Sequence, residues 1–99
     1  MSVYMVAQIS INDKTVFRDY HDAVFDFFAQ KNVDVLAIDD CPAVVEGEDK
    51  GRRMVILRFD TAEEYYALWK SRELQDIAQL RFDSSESRIN LLQERNVQL

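Results

Sequence analysis

The sequence predicts one α+β domain, with four antiparallel strands and two helical segments in the order β-α-β-β-α-β and the helices on one face of the sheet. Three observations predict it. Apolar residues alternate with period two near the N-terminus and again over residues 52–60. Between and after those runs the period turns helical. Only two glycines and one proline interrupt the 99 residues, so the chain is neither low-complexity nor linker-rich. One domain spanning 1–99 follows, because halves of about 50 residues would each bury too little surface for a core.

The first strand, Val3–Ile11, sets Val3, Met5, Ala7, Ile9 and Ile11 on one face and Tyr4, Val6, Gln8 and Ser10 on the other. Asn12 and Asp13 supply a turn and a helix N-cap. Over residues 14–31 Phe17, Tyr20, Val24, Phe27 and Phe28 make an apolar stripe, flanked by Val16 and Ala23, with Arg18, Asp19, Asp22 and Asp26 opposite. A second strand covers residues 33–38, is interrupted by Asp39, Asp40, Cys41 and Pro42, and resumes over 43–46. The proline assigns it an edge position or a bulge. Residues 47–51, GEDKG, read as a hairpin loop into a third strand at 52–60, with Val55, Leu57 and Phe59 on one side and Met54, Ile56 and Arg58 on the other.

Thr61 and Glu64 form a capping box that opens the second helix, whose stripe is Tyr65, Leu68 and Trp69. Ser71 caps a continuation that turns Leu74, Ile77 and Ala78 inward. Residues 88–93, RINLLQ, make the fourth strand. The resulting order is the split pattern of ferredoxin-like domains. The free sheet face would carry Tyr4, Val6, Met54, Ile56 and Leu92, too apolar to face water. Two such sheets packed about a two-fold axis would cover it, which makes the expected partner a second copy of the chain, a homodimer.

Eighteen acids against twelve bases give a net charge of −6. The bases are scattered rather than gathered, so nucleic acid and anionic membranes are disfavoured partners. The KGRRMVIL segment echoes an RNA-binding strand but has Arg52 and Met54 where stacking aromatics belong. No basic start or long apolar run marks a secretory signal or a membrane span, and the expected compartment is cytoplasmic. Cys41 is the only cysteine, so neither a disulfide, a CxxC motif nor a cysteine-based zinc site is available. It reads as a small residue at a strand irregularity, or as a nucleophile with His21 to activate it.

The opening VYMVAQISINDKTVFRDYH, the VVEG before the hairpin, the MVILRFDTAEEYYALWKSREL block and Arg81 together resemble the uncharacterised family catalogued as domain of unknown function 1330. The resemblance covers nearly the whole chain and implies a dimeric α/β-barrel, two ferredoxin-like domains paired through their sheets. Its superfamily includes small monooxygenases, muconolactone isomerase-like enzymes and chlorite-dismutase-like haem proteins. The family itself supplies no activity. Where relatives carry a glycine pair after the first helix, this chain has Asn32 and Val33. Leu74 replaces a frequent tyrosine, and Gln93, Glu94 and Arg95 stand where a closing glycine is usual.

His21, the only imidazole, is the candidate catalytic base, with a partly buried structural histidine as the alternative. Arg81 follows the Leu74 stripe, so its guanidinium points to the core edge. There it would hold a substrate carboxylate bidentately, or serve the helix dipole or an internal acid such as Glu46. Arg58, Gln8, Arg88 and Asn90 share the parity of the free sheet face and read as ligand-binding groups or as the rim of the dimer interface. Tyr20 joins Arg58, Arg81 and Gln8 as a candidate for substrate binding, although it also reads as packing beside Trp69, Tyr65 and Phe59. Asp19, Asp22 and Asp26 read as a solvated face, and no cofactor or metal is expected. The expectation is a homodimer that binds a small anionic or aromatic molecule and acts on it without a cofactor. The alternative is a non-catalytic dimeric interaction or regulatory module.

Overall fold

A computed structural model describes residues 1–99. The elements run β1 (Val3–Ile11), α1 (Lys14–Gln30), β2 (Asp34–Asp39), β3 (Arg53–Phe59), α2 (Ala62–Trp69), α3 (Arg72–Ser84) and β4 (Ser85–Gln93). The strands form one antiparallel sheet in the order β2-β3-β1-β4. Burial alternates along β1 from Val3 to Ser10 and along the whole of β3, because odd positions face the helices and even positions face away.

The core is the odd face of the sheet packed on α1. Val3, Met5, Ala7, Ile9, Val55, Leu57 and Phe59 meet Phe17, Tyr20, Val24, Phe27 and Phe28, with Leu74 of α3 joining them. Asp13 caps α1 as expected, its carboxylate accepting from the amides of Thr15 and Val16 at 3.0 and 3.1 Å. Thr61 and Ser71 cap α2 and α3 by accepting from Glu64 and Leu74. Asn32 ends α1 at φ 55°, the left-handed conformation that glycine or asparagine tolerates best.

Three boundaries differ from the sequence reading. The second strand ends at Asp39 and does not resume: residues 40–52 form a long irregular loop, turned by Asp39 and Asp49 side chains that accept from the amides of Cys41 and Gly51. Its bulge lies between Val35 and Ala37, ahead of the proline. The second helical segment is two helices, split where Lys70 and Ser71 stop one and cap the next. Finally β4 begins at Ser85, three residues early. The SSES run passes directly from helix to strand because Ser84 and Ser85 hydroxyls donate to the carbonyls of Leu80 and Arg81, at 2.7 and 2.6 Å. Serines that would loop in water are buried here by local bonds.

The molecule measures 40 × 37 × 18 Å, and the short dimension admits one helix layer and one sheet layer. The even face of the sheet therefore has no cover within the chain. No helix is long and apolar enough to cross a membrane.

Candidate functional site

A cleft lies between the sheet and the helices, on the odd face. It is bounded mostly by apolar side chains of β1, β3, α1 and α2, and three basic side chains break into its wall: His21, Arg53 and Arg81. Its free interior is about 50 Å³, room for a few waters.

At one end sits Arg81, which is 5% exposed. Position 81 falls on the inward stripe of α3 with Leu74 and Ala78, so the helix turns the guanidinium into the protein. No carboxylate meets it. Its carbon lies 5.5 Å from the ring centres of both Tyr20 and Trp69 and 5.1 Å from that of Phe82. One terminal nitrogen donates to the Tyr20 hydroxyl at 3.1 Å, and buried Nε has no partner. Cation–π contact stabilises a guanidinium in such surroundings, but the charge itself is uncompensated. Tyr65 lines the same end, and burial raises its hydroxyl above the ordinary pKa, against the opposing pull of the Arg81 charge; Tyr66 and Tyr20 push it further up. It stays a protonated donor at neutral pH.

At the other end His21 meets Arg53. An Arg53 terminal nitrogen lies 2.6 Å from His21 Nδ1. A guanidinium only donates, so Nδ1 accepts and the ring proton resides on Nε2. Arg53 also stands over the Phe17 ring at 5.4 Å and places Nε 3.1 Å from an Asp40 carboxylate oxygen.

The structure thus brings His21, Tyr20 and Arg81 to one cleft and leaves Gln8 and Arg58 on the opposite sheet face. Arg58 donates to Ser2 at 2.8 Å and pairs with Asp60 at 3.0 Å. Gln8 accepts from Arg52 at 3.4 Å. Arg88 and Asn90 are exposed on that same face, paired in register with Gln8 and Val6. Asp19, Asp22 and Asp26 lie exposed along α1, and Cys41 is exposed in the loop after β2. Arg53 is the residue that sequence reasoning missed, though the signal was present: it shares parity with Val55, Leu57 and Phe59, a charge on the core face.

Solved structures share this architecture. A protein of unknown function from Rhodopseudomonas palustris superposes with a TM-score of 0.75 at 9% identity, over 97% of this chain and 84% of its own. SnoaB, a cofactor-independent oxygenase from Streptomyces nogalater, gives 0.66 at 13% identity over 97% and 95%. A dimeric protein of unknown function with a ferredoxin-like fold from Bacteroides fragilis gives 0.64 at 13% over 92% and 94%. No curated protein matches in sequence. The model of one family, described as a domain of unknown function, DUF1330, matches residues 2–94, and with that match over nearly its whole length the chain belongs to the DUF1330 family.

Proposed function

We propose that the protein is a cytoplasmic homodimer that binds a small anionic or aromatic molecule in the cleft between helices and sheet, and acts on it by cofactor-free proton transfer. One observation carries the reading: Arg81 is buried with no carboxylate partner in the chain. A charge held out of water is costly unless something pairs with it, and an acid group on a ligand supplies the missing partner. Arg81 would hold that group, with the free proton of the Tyr20 hydroxyl as a second donor. His21, at the far end, is the proton-transfer residue. With Nδ1 engaged by Arg53 it offers a donor, and it becomes a base when the guanidinium releases that lone pair. Gln8 and Arg58 belong to the dimer face in this reading. The likeness to a cofactor-independent oxygenase favours chemistry without a resident cofactor.

The test is calorimetric titration with octanoate and benzoate, and with octanol and benzyl alcohol as neutral matches. The acids should bind and the alcohols should not, and Arg81→Gln should weaken the acids more than tenfold. Equal binding of acid and alcohol, or no effect of Arg81→Gln, overturns the reading. The small free interior favours the second reading, a non-catalytic interaction module. Native mass spectrometry separates them: a dimer carrying extra small-molecule mass supports the first, and a bare dimer that binds neither acid supports the second.

A further inference from the structure

Two arginines are buried in the wall of the cleft, and they face different surroundings. Arg81 meets rings and a phenol. Arg53, 8% exposed, is reached by one carboxylate, that of Asp40, whose side chain is 81% exposed on the loop after β2. The contact is an ion pair without a hydrogen bond: Arg53 Nε is buried and has no acceptor in line. A solvated carboxylate so placed loses little on leaving.

Beside Arg53 the cleft opens into a shallow basin of about 550 Å³, whose charged walls are Lys14, Arg18, Arg53 and Asp40. Three cations face one acid there, in a chain whose net charge is −6. Ile9, Phe17, His21 and Arg53 line both basin and cleft, so the two adjoin across these side chains.

We propose that the basin is a second anion subsite, built on Arg53 with Lys14 and Arg18, which Asp40 fills when no ligand is bound. The ligand class is then a slender diacid. One carboxylate pairs with Arg81, an apolar chain follows the narrow cleft, and the second carboxylate displaces Asp40 from Arg53. The inner half of this assignment rests on the Arg81 reading above; the outer half stands on the basin alone.

The experiment titrates the intact protein with matched pairs: hexanoate and adipate, octanoate and suberate, decanoate and sebacate. At the chain length that spans the subsites, the diacid should bind at least tenfold tighter than its monoacid. Arg53→Gln should erase that difference, and Asp40→Asn should strengthen diacid binding severalfold by removing the competitor. Arg53 is buried, so Lys14→Gln/Arg18→Gln, at exposed positions, gives an independent check: it should lower diacid affinity severalfold at low salt. The proposal is overturned if no diacid exceeds its monoacid at any length, or if the advantage survives Arg53→Gln. Monoacid binding that depends on Arg81, without a diacid advantage, removes this proposal and leaves the Arg81 reading. Binding of neither class removes both.

Discussion

Arg81 and Tyr20 test the idea of an uncompensated charge most directly, because their removal should act in opposite senses. Tyr20→Phe deletes the only acceptor of a buried guanidinium and should cost about 1–3 kcal/mol. Arg81→Met keeps an unbranched stem in place and deletes the charge, so the ligand-free protein should unfold at an equal or higher urea concentration. A lower midpoint for Arg81→Met than for Tyr20→Phe would show that the arginine is structural. Tyr65 gives a pH signature. Its folded pKa is raised above the ordinary value of about 10, so the unfolded chain loses the phenolic proton first. Stability is therefore flat below that pH and falls as pH rises past it. Tyr65→Phe should flatten the alkaline decline in urea midpoints. Of the residues lining this cleft, Tyr20 and Arg81 were placed inward by helical periodicity, and His21 drew notice as the only imidazole. Arg53 was placed in the third strand but not singled out, because its parity with Val55, which sets it on the core face, was not followed back to the strand's start.

Element by element, the legible parts were those whose own residues carry the signal. Alternation marked β1 and β3, and cap residues marked the starts of all three helices. The parts that misled were set by contacts from outside the segment: the serines that open β4 are tied back to α3 carbonyls, and β2 ends where the pairing with β3 stops. Asn32 is set by its own backbone, standing in the left-handed conformation that few residues other than glycine and asparagine tolerate. Asn32→Ala should cost about 1–2 kcal/mol and Asn32→Gly close to nothing, by urea denaturation. Among the helices α2 is distinctive, since none of its eight residues is fully buried although Tyr65, Leu68 and Trp69 wall the cleft. A cleft with a free interior of only about 50 Å³ must move a wall to admit a chain, and α2 is held least. Its amides should exchange fastest of the three helices and slow on addition of octanoate. Exchange in α2 as slow as in α1, unaffected by ligand, would place the entry elsewhere.

For the molecule as a whole, the two-layer thickness leaves Tyr4, Val6, Met54 and Ile56 half-covered and Leu92 48% exposed on the even face. The proposed dimer buries that face, and Ile56, on β3 near its middle, pairs in register with Val6. Ile56→Glu should convert a dimer to a monomer in light scattering with size-exclusion chromatography, while leaving the odd-face core untouched. A monomeric wild type would remove the dimer. The fold was legible at this scale because topology follows from element order. The location of the cleft was harder, since polar groups occur on both sheet faces and only the packing of α1 and α3 separates them.

Trp69 adds a practical consequence. It is the only tryptophan in the chain, and its ring centre stands 5.5 Å from the carbon of the Arg81 guanidinium. Indole emission responds to a nearby positive charge and to the loss of surrounding water, so the protein carries its own optical reporter at the inner end of the cleft. Any compound that neutralises Arg81 or shifts α2 should change that emission without a label, and a library of acids could be ranked by a single fluorescence channel before any reaction is known.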